Sequence, residues 1–512
     1  MSKPDNTYAF YSHLAALGVL LLFFVPVSLT RVLDGDEGFY TLASRLVMQG
    51  GKHLYSDFFF PQMPLLPYVY GAWMSIFGYT VETARGLSAI FTVATGFLLY
   101  KYCLHYGIWA GWLALFLFTG GIFVFPWFVL VKTYALSTLL LFSAFFILTY
   151  PRGKTGLRFL VTGLLLGLAV STRLFFVGLI PVFALYILFS PAVPAATRRK
   201  RAQLSGLCLA GLLLGLAPAV FFFLAAPEHF LYNNLIYHLQ RSQAPAEEAL
   251  NQKYHLLKVV LGIKNSHRDS GFHLPLLLWL NLAYLSWRTA RGKTPSLAFF
   301  LAVALLGLNL LPTPSYTQYF STLAPFLIVP VIEWFDALYR WAAATQNKAL
   351  PLAVLAVLGA ACINYARLIP REVYRHCVSG KNVIGVSSVC PLTPTKLYGI
   401  NRAVEGYTQP GEYVISPWPG HIAASWASPF PRLENHFGFK GGKRLKKQER
   451  DKFKLPSENY LLESILSRRA PLVLLARGRL SSQMKKTLEQ GGYLKVRTIC
   501  GVSLYLRDDR VS

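Results

Sequence analysis

The stretch LTRVLDGDEGFYTLASRLVMQGG, residues 29–51, sets three carboxylates, Asp34, Asp36 and Glu37, at the mouth of an apolar run. That run, LAALGVLLLFFVPVSL with its flanks, is long enough to cross a hydrocarbon core of about 30 Å. It lacks a convincing small-residue cleavage site and many more apolar segments follow it, so it reads as an uncleaved first helix rather than a signal peptide. The acids that follow it have two readings. Asp36 and Glu37 could serve the N-terminus of the next helix through its dipole. They could equally form a catalytic base beside a cation site, held where lipid-borne and water-borne substrates meet.

Working outward, the 512 residues are 54% hydrophobic and only 14% charged, with a mean hydropathy of +0.42. Those values belong to a polytopic membrane protein. Apolar runs recur from Leu14 to Ile369, after which residues 370–512 turn polar, with Gly and Pro punctuation. The expected division is a membrane module, 1–369, and a soluble α/β domain, 370–512. The net charge of +27 invites a nucleic-acid reading, but the basic residues cluster in short loops: Arg152, Lys154 and Arg158; Arg198 to Arg201; Arg288, Arg291 and Lys293; Arg340 and Lys348. Short basic loops stay in the cytoplasm. One threading that keeps them all inside predicts about eleven transmembrane helices, near 12–32, 85–105, 108–124, 133–150, 158–172, 174–190, 204–226, 272–288, 296–312, 320–338 and 349–368. The loop 33–84, the turn from Trp127 to Lys132, the loop 227–271, the PTPSYTQ segment and the C-terminal domain are then extracytoplasmic.

Within 33–84, Gly38 to Met48 has helical periodicity, and PLLPYVYGAWMSIFG is apolar and aromatic but short for a span. Both suit interfacial helices. Lys132 reads as an outer-boundary anchor and Asp34 as a solvated neighbour of Asp36. The basic run FKGGKRLKKQERDKFK reads as a solvated loop, with contact to anionic headgroups as the sharper alternative. Cys377 and Cys390 are expected to pair if the compartment is oxidising. PLVLLARGR, YLKVRTIC and SLYLRDD read as strands, and His421 and His436 as residues without a catalytic role.

The whole stretch from DGDEGFY through YSDFFFPQMPLLPYVYGAWMSIFGYTVETARGLSAIF resembles the first outer loop of the GT-C glycosyltransferases related to protein O-mannosyltransferases and to the aminoarabinose transferase of lipid A. In that pattern an Asp-Glu pair is followed by Gly, LY, a Pro-Leu aromatic helix, FG and an Arg opening the second span. PGEYVISPWPGHIAASWASPFPRLENHF resembles the outer domain of the same enzymes. The resemblance implies transfer of a sugar from a polyprenyl-phosphate donor to a lipid, glycan or protein acceptor on the outer face of the membrane. Asp36 takes the place of the catalytic base and Glu37 of the adjacent acid.

NLIYHLQRS resembles the family's Glu-His-x-x-Arg stretch, which puts His238 near a divalent metal or the acceptor and Arg241 at the donor phosphate. PSYTQYFSTLAPF points to Tyr319 and Tyr316 as phosphate partners, and Arg173, an intramembrane cation, is a further candidate. Glu37 and His238 are the candidate metal ligands. Two departures stand out: Gln62 and Met63 occupy the place of a family lysine, and Tyr237 replaces the acid before His238. A flippase or transporter is the alternative from another class, and it predicts ionisable residues along several helices with repeated halves. An O-antigen-ligase-like enzyme is a third reading, against which the Asp-Glu pair speaks.

Overall fold

The computed structural model describes residues 6–150, 154–193, 197–241, 245–264, 272–344, 349–383, 386, 390–443 and 445–511. Arg152 and Lys348 of the basic loops lie outside them. Helices occupy all the stretches read as spans, among them Asn6–Thr30, Val81–Cys103, Thr155–Thr172, Ala324–Ala344 and Ala349–Tyr374. Their ends follow local chemistry. Thr80 caps Val81–Cys103 by accepting the N–H of Thr83 at 3.1 Å, and Thr197 accepts the N–H of Lys200 at the start of Arg198–Gly215.

Four helical stretches are long and apolar enough to cross a membrane: Ala9–Thr30, Val81–Tyr106, Thr155–Thr172 and Thr317–Ala344. A fifth crossing forms if Arg198–Gly215 and Ala217–Ala225, bent by 50° at their junction, act as one span. The chain is thus an integral membrane protein. The expectation is about eleven transmembrane helices; by length and composition, four or five crossings follow among the described residues. Several of the others, such as Ile108–Thr119 and Leu297–Leu310, are shorter.

One crossing is closer than side chains permit. A Cβ on Gly163 would stand 1.8 Å from the Cys208 carbonyl oxygen, and one on Gly211 would stand 1.9 Å from that of Leu160. Gly167 and Gly215 repeat the approach one turn on, at 2.4 Å and 2.2 Å from the Leu212 and Leu164 carbonyls. The helices Thr155–Thr172 and Arg198–Gly215 therefore meet backbone to backbone through matched Gly-x-x-x-Gly faces, the packing expected where lipid supplies no hydrophobic drive between helices. Ser171 Oγ reinforces the seam by donating to the Gly215 carbonyl at 3.0 Å.

The first outer loop carries the two expected helices, Glu37–Met48 and Leu65–Phe77. They pack against each other where Gly71 lets the Ser44 carbonyl approach to 2.5 Å of its Cβ position. Phe39, Tyr40 and Tyr70 of these helices, with Tyr55 from the segment between them, form a buried cluster of their own.

Helix Ala349–Tyr374 continues through Pro370 before the chain enters the C-terminal region. There a five-stranded sheet forms from β1 (Tyr413–Ile415), β2 (Ser428–Pro429), β3 (Leu472–Ala476), β4 (Tyr493–Ile499) and β5 (Val502–Arg507). Its order is β2-β1-β3-β5-β4. β1 pairs parallel with both β2 and β3, while β5 runs antiparallel to β3 and β4. The last three strands are those legible as alternating or apolar runs. Helices Glu458–Leu466 and Ser482–Gln490 cover one face of the sheet, where Val473 and Leu475 of β3 are fully buried, and Pro394–Tyr407 covers the other, against Leu472 and Leu474.

The disulfide differs from the expected pairing: Cys390 joins Cys500, with Cα atoms 5.4 Å apart, and Cys377 is free. The reason is topological. Cys377 lies in the turn Arg375–Ser379 beneath the end of the first helix, whereas the tight β4–β5 turn presents Cys500 to the loop at Cys390. The basic run is largely solvated, as expected: Lys440, Lys443, Lys446, Lys447 and Lys452 are exposed. Lys452 pairs with Glu228, and Arg450 donates to the Leu445 carbonyl at 2.6 Å.

Candidate active site

The backbone from Val32 to Glu37 is gripped from both sides. Leu33 N–H donates to the Leu392 carbonyl at 2.6 Å and Val32 N–H to that of His376 at 2.9 Å. The Gly35 carbonyl accepts Trp418 Nε1–H at 2.7 Å. Gly38 has no room for a side chain, since a Cβ there would lie 2.5 Å from Gly420 N. Further along, Arg45 donates to the Ala427 carbonyl at 2.8 Å and Lys52 pairs with Glu434 at 3.3 Å. The C-terminal domain thus sits directly on the acidic loop.

The three acids play different parts. Glu37 is fully buried and its carboxylate is saturated. Arg85 donates to both oxygens, from Nε at 2.8 Å and from Nη2 at 2.6 Å, while Asp34 N–H and Val131 N–H donate at 2.9 Å and 3.2 Å. This bidentate pair ties the loop to the start of the second long helix. Asp34, expected to be solvated, is buried. Its Oδ1 meets Lys132 Nζ at 2.6 Å and accepts Asp36 N–H at 2.9 Å. Burial works against its charge, but Lys132 and Arg31 prevail and hold it below the usual carboxylate range.

Lys132, expected to be a boundary anchor, is buried between Asp34 and Asp36, reaching Asp36 Oδ2 at 2.9 Å. Burial opposes its charge as well, yet the two carboxylates hold the ammonium well above its ordinary value. Asp36 is the accessible member: its side chain keeps 30% of its surface exposed, against 2% for Asp34. Of these three acids, Asp36 alone presents its carboxylate to solvent.

A second group faces Asp36. Tyr40, Tyr134, Tyr237, Tyr319 and His436 all lie close enough to feel its charge. Arg173 follows directly on the helix Thr155–Thr172, and its guanidinium rests on the rings of Tyr134, Tyr319 and Phe176, at 5.2, 5.4 and 5.9 Å. Its Nη2 reaches Asn309 Oδ1 at 3.4 Å, and its buried Nη1 has no hydrogen-bond partner among the described residues. Arg241 hydrogen-bonds with Tyr316, and its charge acts on Tyr237 and Tyr319 alongside that of Asp36.

Tyr316 and Tyr319 meet edge to face at 5.6 Å. The loops that carry Asp36 and Arg241 do meet: the His238 ring hydrogen-bonds with the Pro61 carbonyl at 3.0 Å, and Asn233 Oδ1 accepts Phe60 N–H at 2.8 Å. Three acids, Asp34, Asp36 and Glu37, are matched by Arg31, Arg85 and Lys132. Arg173 and Arg241 add positive charge with no carboxylate partner among the described residues. A buried guanidinium N–H left unmet calls for a hydrogen-bonding partner; Arg31 Nη2 is a second such atom among the described residues.

The metal reading of Glu37 and His238 does not fit these residues. Glu37's lone pairs are taken by Arg85 and two backbone N–H groups. The ring of His238 hydrogen-bonds through Nε2 with the Pro61 carbonyl at 3.0 Å, and burial lowers its pKa to about 4. Its position is that of a strut between the two outer loops. No three His, Cys, Asp or Glu side chains gather as an ion site among the described residues.

Solved structures share this architecture. ArnT from Cupriavidus metallidurans in its apo state superposes with a TM-score of 0.63 over 99% of this chain and 100% of its own, at 13% identity. The fold is GT-C. ArnT bound to undecaprenyl phosphate matches with a TM-score of 0.61 at 13% identity, over 96% of this chain and 97% of its own. The oligosaccharyltransferase of Archaeoglobus fulgidus, tethered to an acceptor peptide, matches with a TM-score of 0.54 at 14% identity, over 98% of this chain and 75% of its own. No family model and no curated protein sequence matches the chain. The GT-C frame is thus carried by three-dimensional arrangement where sequence likeness has thinned.

Sequence reading brought out Asp36, Arg173, Arg241, Tyr316 and Tyr319, and the fold gathers them. It passed over Lys132, whose signal was a lone cation in the apolar PWFVLVKTYA, and His436, which lies in the ENHF segment of the C-terminal domain.

Proposed function

We propose that this chain is a membrane glycosyltransferase that moves a sugar from a polyprenyl-phosphate carrier to an acceptor, with Asp36 as general base. The observation that carries the reading is the opposition of one accessible carboxylate, Asp36, to Arg173 and Arg241, whose charges no acid among the described residues neutralises. Asp36 takes the proton of the acceptor nucleophile as that atom attacks the anomeric carbon. The bond from the anomeric carbon to the phosphate oxygen breaks, and its electron pair stays on the phosphate. Charge on the departing phosphate grows along the reaction, so Arg173 Nη1, Arg241 and the Tyr316 and Tyr319 hydroxyls stabilise the transition state more than the ground state. Attack from the face opposite the phosphate gives inversion.

Lys132 fixes one oxygen of Asp36 and keeps the carboxylate aimed. The ArnT structure holding undecaprenyl phosphate supports a carrier of that class here. In this reading residues 1–369 form the membrane module, with eleven crossings that include the shorter helices, and residues 370–512 form the outer domain. The Cys390–Cys500 disulfide favours an oxidising, extracytoplasmic face for that domain and the active site, as do the basic loops of the opposite side.

The test uses purified protein in micelles with radiolabelled polyprenyl-phosphate sugars. Asp36→Asn should lose transfer by about 10²–10⁴-fold, the range of a general base, while retaining carrier binding. Arg173→Ala should weaken undecaprenyl phosphate binding by about 10–100-fold, as expected for a charged hydrogen bond. Full transfer by the Asn variant would sink the base assignment.

A further inference from the structure

Three consecutive residues of the C-terminal domain, Glu434, Asn435 and His436, each leave a buried polar atom without a partner among the described residues: Oε2, Nδ2 and Nδ1 respectively. Glu434 and Asn435 are only 3% and 2% exposed. Native interiors rarely leave such atoms unmet, and a run of three asks what meets them. Internal bonding does not: Glu434 spends its other oxygen on Lys52 at 3.3 Å, and Asn435 uses its Oδ1 to accept Phe437 N–H at 3.0 Å.

The position of this segment decides its role. The His436 ring lies within reach of the charges of both Asp36 and Asp34. It packs on Phe437 at 4.3 Å, and the Arg241 guanidinium lies 5.7 Å from the Phe437 ring. Phe39, from the helix that follows Asp36, closes the group at 5.8 Å from His436 and 5.6 Å from Phe437. Two adjacent residues thus bridge the base at one end and a phosphate-binding arginine at the other.

In a displacement at the anomeric carbon, the sugar occupies the space between those two ends. Amide, imidazole and carboxyl groups set among aromatic rings also match the chemistry of a sugar, whose hydroxyls need hydrogen bonds and whose C–H faces pack on rings. We propose that Glu434, Asn435 and His436, with Phe39 and Phe437, form the subsite for the hydroxyls of the carrier-linked sugar. This rests on the glycosyltransferase reading above and gives the C-terminal domain the task of choosing the sugar, while the membrane helices hold the carrier.

The experiment measures binding of bare undecaprenyl phosphate and of the same carrier bearing glucose, mannose, N-acetylglucosamine or arabinose to the full-length protein in micelles. Wild type should bind at least one glycosylated carrier more tightly than the bare one. Asn435→Ala and His436→Ala should each lose about tenfold in affinity for that carrier, the order expected for a neutral hydrogen bond, and keep their affinity for the bare carrier, which also reports that they are folded. Equal losses on both carriers, no loss on either, a wild type blind to the sugar, or an effect confined to the acceptor's KM would each overturn the subsite. Failure of the parent reading looks different: wild type would not bind the bare carrier, or Arg173→Ala would leave that binding unchanged.

Discussion

Replacing Lys132 with methionine tests the acidic loop at its centre. The change keeps length and removes the ammonium that stands 2.6 Å from Asp34 and 2.9 Å from Asp36. Asp34 is then a buried carboxylate that keeps the charge of Arg31 but has lost its ion-pair partner. Breaking a buried pair by deleting one partner costs about 3–5 kcal/mol. The Trp127 and Tyr134 rings, 5.6 and 6.0 Å from the ammonium, lose cation contacts worth about 0.5–1 kcal/mol more.

The pH dependence fixes the mechanism. In the wild type Asp34 is held below its ordinary value, so its contribution is present above about pH 4 and is lost as pH falls through the lower folded value. In the methionine variant burial acts unopposed by Lys132 and raises that value. The penalty is then full at neutral pH and shrinks as acid protonates the carboxyl. Denaturant titration in micelles at pH 8 and pH 5 should show a deficit of about 3–5 kcal/mol at the higher pH that narrows at the lower. Adding Asp34→Asn should recover most of it, because a neutral side chain no longer needs the cation. Transfer should fall too, since Asp36 loses the contact that aims it. A deficit within the ~0.5 kcal/mol typical of surface changes, or one that widens on acidification, would refute the buried network.

Two further changes probe how the C-terminal domain is held. Cys390→Ser opens a closure spanning 110 residues and should cost about 2–5 kcal/mol, seen as unfolding at lower denaturant and as loss of any effect of reductant; Cys377→Ser should leave the reductant effect intact. Gly38→Ala forces a methyl to 2.5 Å from Gly420 N and should cost about 1–3 kcal/mol of overpacking. Limited proteolysis should then cut faster between residues 410 and 430, and a variant as resistant as the wild type would show that the two segments do not touch.

Much of this architecture is legible in the sequence alone. Long apolar runs announce helices because lipid leaves the backbone no other partner, and the aromatic loop helices and the last three strands followed from periodicity. Asp36 stood out because a whole loop pattern surrounded it. What escaped was pairing over distance. Glu37 looked like a cation ligand until Arg85, at the foot of the next long helix, filled its carboxylate. Asp34 looked solvated because Lys132, its partner, is remote in sequence. The disulfide depended on which turn faced Cys390. Nothing in ENHF itself says that His436 comes near Asp36. In each case the deciding fact is which distant element arrives, and composition and spacing do not encode it.

The glycine seam between Thr155–Thr172 and Arg198–Gly215 bears on how such a protein could be re-engineered. Arg173 is the first residue past the first of these helices, so its height above the bilayer centre is set by a contact with no rotamers to adjust. On the proposed function, altering outer loops or exchanging the C-terminal domain would leave that height untouched, so new sugars or acceptors could be sought there while the proposed anchoring point of the carrier stays constant. Lengthening or shortening Thr155–Thr172 by a residue would instead swing Arg173 by about 100° and shift it by about 1.5 Å. The seam divides the molecule into a part that can be varied and a part that serves as its ruler.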